Sequence, residues 1–184
     1  MKRFLWVIGV AVVLAGAFLY VNETNPPWYE RLRYPLQYSE YVRVHARENS
    51  LDPALLAAVI YAESKFDASA KSKSGAIGLM QLTPATAKGI AIRTGGHRFV
   101  TSDLYNPEIN IRYGAWYLDN LFKKYGSEKL VLAAYNAGQG NVDRWQAAHE
   151  GVQFAETRAY IDKIEDLKGI YRRAWRRQLY SASG

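Results

Sequence analysis

The chain has no cysteine, only three histidines and fewer acidic than basic residues, and each deficit removes a class of chemistry. Without cysteine there is no disulfide, no thiol nucleophile and no lipid attached through sulfur. His45, His97 and His149 lie too far apart to show a metal-ligand spacing. The sequence contains neither a Gly-x-x-x-x-Gly-Lys loop nor a Gly-x-Ser-x-Gly elbow, which sets aside phosphate-cradling and serine-hydrolase readings. The Gly138-Gln139-Gly140 turn is a poor dinucleotide loop, because Asp143 stands where a third glycine is wanted and a helix precedes it. Acid–base work by a carboxylate remains. Seventeen Asp and Glu against 24 Lys and Arg leave a formal charge of +7 and a pI near 9.5. Such a surplus suits nucleic acid, an anionic membrane surface or an anionic cell wall, and it also serves solubility alone.

Phe4 to Val21 is an uninterrupted apolar run, long enough to cross a bilayer with little tilt. It reads as a membrane anchor. A cleaved signal peptide is the alternative, given the small residues of Leu14-Ala15-Gly16-Ala17, although the run stays apolar through Phe18-Leu19-Tyr20. Lys2 and Arg3 precede the span and the first basic residue after it is Arg31, so the positive-inside rule places the remainder outside the cytoplasm. That placement argues against nucleic acid as a partner. The expected organisation is an anchor at 1–21, a Pro-containing linker at 22–38 that breaks the helix, one domain at 39–177 and a tail at 178–184. A body of this size buries a real core.

The domain reads as a succession of helices. One begins near Ser39, with Tyr41, Val44, His45 and Glu48 spaced for one face. In the next, Asp52 is a good N-cap, Pro53 suits the first helical position, and Leu51 and Leu56 form a hydrophobic staple. Leu56, Val59, Ile60 and Glu63 share a face, which directs the Glu63 carboxyl inward. A carboxyl taken out of water without a cation has a raised pKa and serves as a proton donor near neutral pH. Lys65, two positions on, points elsewhere on the helix and leaves that charge uncompensated. On the helix alone, a helix-end glutamate reaching solvent is the competing reading.

Asp67 to Gly78 reads as a loop, in which Gly75 and Gly78 permit unusual backbone shapes. Thr83-Pro84 starts a short helix that Gly89 closes, and Ile90 to Thr101 is expected as a loop lining a cleft. Asn106-Pro107-Glu108 starts a longer helix ending at Gly126, with Tyr113, Trp116, Tyr117 and Leu121 inward. Leu130 to Tyr135 is apolar enough to demand burial. The last helix, Thr157 to about Arg177, carries Tyr160, Ile161, Ile164, Leu167 and Tyr171 on one stripe. It ends in Arg172, Arg173, Arg176 and Arg177, a face that is either simply solvated or in touch with an anionic polymer or lipid surface.

Four blocks carry a family resemblance: Glu63-Ser64; Gly75-Ala76-Ile77-Gly78-Leu79-Met80-Gln81; Ala134-Tyr135-Asn136-Ala137-Gly138; and Glu156-Thr157-Arg158-Ala159-Tyr160. In that order they resemble the lytic transglycosylase domain of the soluble lytic transglycosylase type, over roughly Ser39 to Tyr171. The segment Asp103 to Ile111 is similar as well. The resemblance implies a mainly α, lysozyme-like helical domain with a saccharide groove, here preceded by one N-terminal transmembrane helix. It implies the glycan strand of peptidoglycan as substrate, cut between N-acetylmuramic acid and N-acetylglucosamine, with no cofactor and no metal.

By the same resemblance Glu63 is the sole catalytic carboxylate, acting as acid and then base while the muramic 2-acetamido group assists. That assistance dispenses with the second carboxylate of ordinary glycosidases. Tyr135 is placed near the acetamido group or the carboxyl, and Asn136 and Gly138 shape the turn beneath. Ser72 and Gln81 are expected to hydrogen-bond sugar or peptide, and Met80 to pack on a ring face unless it is core. Glu156 is expected to contact substrate or to cap the final helix, and Tyr160 is assigned a structural part. A hydrolytic muramidase on the same fold and a non-enzymatic wall-binding module are the competing functions. The expected partners are peptidoglycan strands and, through the first helix, the cytoplasmic membrane, with the domain on the cell-wall side.

Overall fold

A computed structural model describes residues 2–96 and 98–181, so His97 and residues 182–184 of the expected tail lie outside the described residues. The chain divides into two compact units, Met1–Pro35 and Leu36–Gly184. The first holds α1 (Lys2–Thr24) and α2 (Pro27–Arg33). Within α1, Arg3–Val21 has a mean hydropathy of 2.5 and is wholly unburied, so by length and composition it suits a membrane span or a signal sequence. The expected break at Asn22 does not occur. Asn22, Glu23 and Thr24 are polar but not helix-breaking, the Thr24 hydroxyl donates to the Tyr20 carbonyl at 2.7 Å, and the helix stops only where Asn25 turns left-handed (φ 41°). Pro27 then occupies the first position of α2, where its missing N–H costs nothing, so much of the expected linker is helical.

The second unit contains α3 (Ser39–Glu48), α4 (Pro53–Ser64), α5 (Pro84–Arg93), a 3-10 turn (Thr101–Tyr105), α6 (Pro107–Tyr125), α7 (Glu128–Ala137), α8 (Gln139–Ala147), α9 (Ala155–Ala174) and α10 (Arg176–Tyr180). Among the described residues there is no sheet, only isolated bridges from Ile77 to Lys71 and to Leu82. The core is built around α4. Asp52 caps it by accepting from the Ala54 N–H at 2.9 Å, and every residue from Ala54 to Ile60 is buried. The helix is therefore enclosed on all sides, where the sequence suggested a single inward face.

Helix α9 lies antiparallel along α4 and buries Thr157, Ile161, Ile164, Leu167, Tyr171 and Ala174. Its two ends are tied to opposite ends of α4: Arg172 pairs with Asp52, and Tyr160 bonds Glu63. Tyr171, wholly buried, meets the rings of Tyr61 and Phe66 at centroid distances of 6.1 and 6.2 Å.

Three expectations are corrected. Helix α3 buries Val42, His45 and Ala46, one residue around from the expected face, because α6, α4 and α10 all pack on that side. Helix α5 runs through Gly89 to Arg93, since burial of Ala87, Ile90 and Ala91 outweighs the roughly 1 kcal/mol cost of one helical glycine. The expected tail includes most of α10, whose Leu179 is buried and whose Tyr180 hydroxyl reaches Asp52.

The loop between α4 and α5 is fastened from beneath by Asn110 of α6, a fully buried carboxamide. Its Oδ1 accepts from the Met80 N–H at 2.8 Å, while Nδ2 donates to the Ile77 carbonyl at 3.0 Å and the Leu104 carbonyl at 2.8 Å. Gly78 sits against it with φ +78°, and a Cβ there would collide with the Leu104 carbonyl and the Asn110 amide. One turn along α6, Gly114 leaves the space that the Met80 thioether fills. Replacing Asn110 with Ala leaves the buried Met80 N–H without its acceptor and takes a donor from the Leu104 and Ile77 carbonyls, of which Ile77 keeps the Leu82 N–H at 3.1 Å. We expect Asn110→Ala to lower unfolding free energy by about 3 kcal/mol or more, read as a fall in the denaturant midpoint.

Candidate active site

Glu63 occupies the last turn of α4, where the helix emerges from its enclosed stretch and its residues become half-buried. Lys65, left-handed at φ 54°, ends the helix, and the buried Phe66 follows in the same backbone region. The Tyr160 hydroxyl donates to Glu63 Oε1 at 2.6 Å. One turn further along α9, Lys163 Nζ donates to the Ala62 carbonyl at 3.2 Å, which places a cation beside the carboxyl. Burial pushes the Glu63 pKa up, and the Tyr160 hydrogen bond and the Lys163 charge pull it back without cancelling the rise. The uncompensated charge read from the sequence is thus corrected: α9 supplies the cation that Lys65 does not, and desolvation still dominates.

Two phenols surround this acid. Burial, reinforced by the Glu63 charge, holds both Tyr135 and Tyr160 well above the ordinary tyrosine range, so both stay protonated as donors. Tyr135 does not donate to Glu63. Its hydroxyl donates to the Met80 carbonyl at 2.6 Å, and its ring tilts against Tyr117 at 5.6 Å. Ser64 joins α4 to the same loop, its hydroxyl donating to the Leu79 carbonyl at 2.8 Å. Glu63, Tyr135 and the Gly78–Gln81 segment are therefore tied together through a few short bonds.

The remaining candidates fall at graded distances from that centre. Met80 is wholly buried against Gly114, so its side chain offers no surface to a sugar ring and its part in the site is its backbone. Gln81, left-handed at φ 48°, donates through Nε2 to the Gly78 carbonyl at 2.9 Å and the Ala70 carbonyl at 3.2 Å. Ser72 holds the loop's outer turn, accepting from the Ala76 N–H at 2.9 Å and pairing with the Ser74 hydroxyl at 2.9 Å. Exposed Asn136 accepts from the Thr157 hydroxyl at 2.8 Å, which joins the end of α7 to the start of α9 beside exposed Glu156.

Sequence reasoning missed Asn110, Tyr160 and Lys163 as parts of the site. The spacing of Tyr160, Lys163 and Ile164 put all three near one face of α9, and the partner of that face was the missing information. Among the described residues no group of three or more His, Asp and Glu could hold a metal ion. Away from Glu63, one cleft of about 430 Å³ is lined by Glu48, Asn49, Gly96, Arg112, Tyr113 and Trp116. Another, of about 870 Å³, lies at the opposite end of α4, among Asp52, Pro53, Arg172, Arg173, Arg176 and Tyr180.

Comparison with known proteins gives this geometry its relatives. The chain is 30% identical over 152 residues to the soluble lytic murein transglycosylase of Escherichia coli K12, covering 76% of this chain and 24% of that one. It is 38% identical over 120 residues to the endo-type membrane-bound lytic murein transglycosylase A of Klebsiella pneumoniae, covering 63% and 59%. The solved lytic transglycosylase Slt of Pseudomonas aeruginosa superposes with a TM-score of 0.72 at 31% identity, over 79% of this chain and 25% of that one. The chain thus spans about a quarter of the length of the soluble relatives it matches. Residues 40–157 match the transglycosylase SLT domain, from the second residue of α3 through the Thr157 that bonds Asn136, and the chain belongs to that family.

Proposed function

We propose that the chain is a peptidoglycan lytic transglycosylase, tethered by α1 as a single-pass anchor with its domain on the cell-wall side of the cytoplasmic membrane. The observation that carries the activity is the environment of Glu63: a half-buried residue whose desolvated carboxyl has a raised pKa, one phenol donor, one nearby cation and, among the described residues, no second carboxylate acting on its charge. An ordinary glycosidase needs two carboxyl groups flanking the bond. A single acid fits a substrate that brings its own nucleophile.

Protonated Glu63 donates to the glycosidic oxygen between N-acetylmuramic acid and N-acetylglucosamine as the C1–O bond breaks. The muramic 2-acetamido oxygen closes on C1 and takes up the positive charge. Ionised Glu63, now stabilised by the Tyr160 hydroxyl and the Lys163 charge, removes the proton from the C6 hydroxyl. O6 then attacks C1, the acetamido group is released, and a 1,6-anhydromuramic end forms. Glu63 regains its proton and no water is consumed. The intramolecular attack is favoured over a dilute external nucleophile.

Burial favours the proton-bound form of the acid and α9 favours the ionised form, so the same side chain serves both halves of the cycle. In this reading the saccharide groove passes Glu63 and the 78–81 loop. Tyr135, Asn136, Gln81, Ser72 and Glu156 face substrate, and Met80 contributes through its carbonyl. The solved 70-kDa soluble lytic transglycosylase forms a complex with bulgecin A, and the shared family supports the same ligand here.

Purified wall digested by the full chain should yield muropeptides whose muramic ends lack the elements of one water in mass spectra. Reducing muramic ends would instead establish a hydrolase. Glu63→Gln should lower turnover by at least about 10²–10⁴-fold, and unchanged lysis would leave only a binding role. The pH profile tests Lys163. Activity requires protonated Glu63, so rate falls as pH rises through its pKa. Removing the cation raises that pKa, and Lys163→Met should therefore move the alkaline limb to higher pH, with Lys163→Arg restoring it. The Glu63 contribution to stability falls with rising pH as activity does. Because the folded pKa is raised, ionised Glu63 opposes folding at neutral pH, and this cost vanishes as pH falls below the unfolded value near about 4.3. Glu63→Gln should accordingly melt at a higher temperature than the parent at neutral pH, with the gap closing in acid.

A further inference from the structure

We infer that the arginine-bearing end of α9 and α10 docks on an anionic phospholipid surface and thereby holds the catalytic end of the domain away from the lipid. The inference rests on α1 being a membrane anchor. Residues 36–184 contain 20 Lys and Arg against 15 Asp and Glu, a surplus of five, and Arg172, Arg173, Arg176 and Arg177 account for four basic charges within six residues. All four are exposed. Asp52 is the carboxylate among the residues lining their groove, and it is already engaged by Arg172, by the Tyr180 hydroxyl and by the Ala54 N–H.

Chain connectivity points the same way. Helix α3 is the first helix of the domain, so its start is where the chain arrives from the anchor side. In its second turn, Arg43 donates to the Gln178 carbonyl at 3.3 Å and the Ser181 hydroxyl at 3.4 Å. The basic helix α10 thus lies beside the tethered end of the domain. Fourteen residues separate Thr24 from Ser39, a tether that keeps a weakly binding surface at high effective concentration over the bilayer. Half-buried Trp175 and exposed Tyr180 flank the arginines, and such residues favour the headgroup level.

The antiparallel pairing of α4 and α9 converts docking into orientation. Asp52 and Glu63 are separated by eleven residues of α4, about 16 Å along the axis. Arg172 marks the basic end and Tyr160 the catalytic end. With the arginines on phosphate headgroups, the carboxyl faces the wall.

The absence of native cysteine makes the test clean. The full chain is reconstituted into nanodiscs of phosphatidylcholine alone or mixed with phosphatidylglycerol, with a spin label at Ser181→Cys or at Lys73→Cys. On anionic discs the label at 181 should become shielded from a water-soluble relaxation agent, and on neutral discs it should not. The label at 73 should stay accessible on both. Arg176→Glu with Arg177→Glu should lower the ratio of shielded to exposed label about 30-fold or more, and added salt should act in the same direction. A chain that incorporates yet keeps the 181 label equally exposed on both discs overturns the docking and leaves the anchor standing. A chain that fails to incorporate overturns the anchor, and the docking with it. Shielding by a soluble anionic polymer but not by anionic lipid makes the patch a polymer site and also overturns the proposal.

Discussion

The site depends on one buried carboxamide. Asn110 offers an acceptor and two donors to three backbone groups, two in the loop between α4 and α5 and one in the 3-10 turn. Its Oδ1 takes the Met80 N–H, and the Met80 carbonyl accepts from the Tyr135 hydroxyl, so both backbone groups of that residue are held. Gly78 and Gly114 are the steric conditions for this arrangement, one for the amide against it and one for the thioether beside it. A loop with almost no regular structure is thereby given a fixed shape beside the Glu63 carboxyl.

Around that fixed loop, Glu63 is held in tension between two environments. Its own helix removes it from water, which favours the proton; the facing helix offers a phenol and an ammonium group, which favour the charge. A carboxyl in bulk water would be ionised at neutral pH and unable to donate. One paired at close range with a cation would be ionised more firmly still. The lysine sits on the adjacent carbonyl instead of on the carboxyl itself, and its pull on the charge does not cancel the rise that burial causes. Enclosing an acid in this way costs folding stability wherever the carboxyl is ionised.

Much of this was legible in the sequence wherever local rules decide. The Asp52-Pro53 and Asn106-Pro107 starts, the Gly126 stop and the inward course of the Glu63 helix follow from caps and spacing, and the structure has them. Reading failed where distant packing overrode local preference. Gly89 looks like a terminator, yet a buried Ile90 beyond it keeps the helix going; the face of α3 was misplaced because three other helices define it. Tyr160 ends one of the four blocks and Lys163 lies beyond it, but nothing local says that residue 63 will lie opposite them. Asn110 is similarly silent: a polar residue in a helix is ordinarily a surface residue, and only the loop above it makes burial affordable.

The pairing of α4 with α9 also has a bearing on biosynthesis. Glu63 is translated early, but its hydroxyl partner lies 97 residues downstream and the clamp on Asp52 lies 120 residues downstream. A nascent chain therefore possesses the acid long before it possesses the surroundings that set its proton affinity. Only when α9 arrives and closes against the core does Glu63 gain the phenol and the burial that set its affinity for a proton.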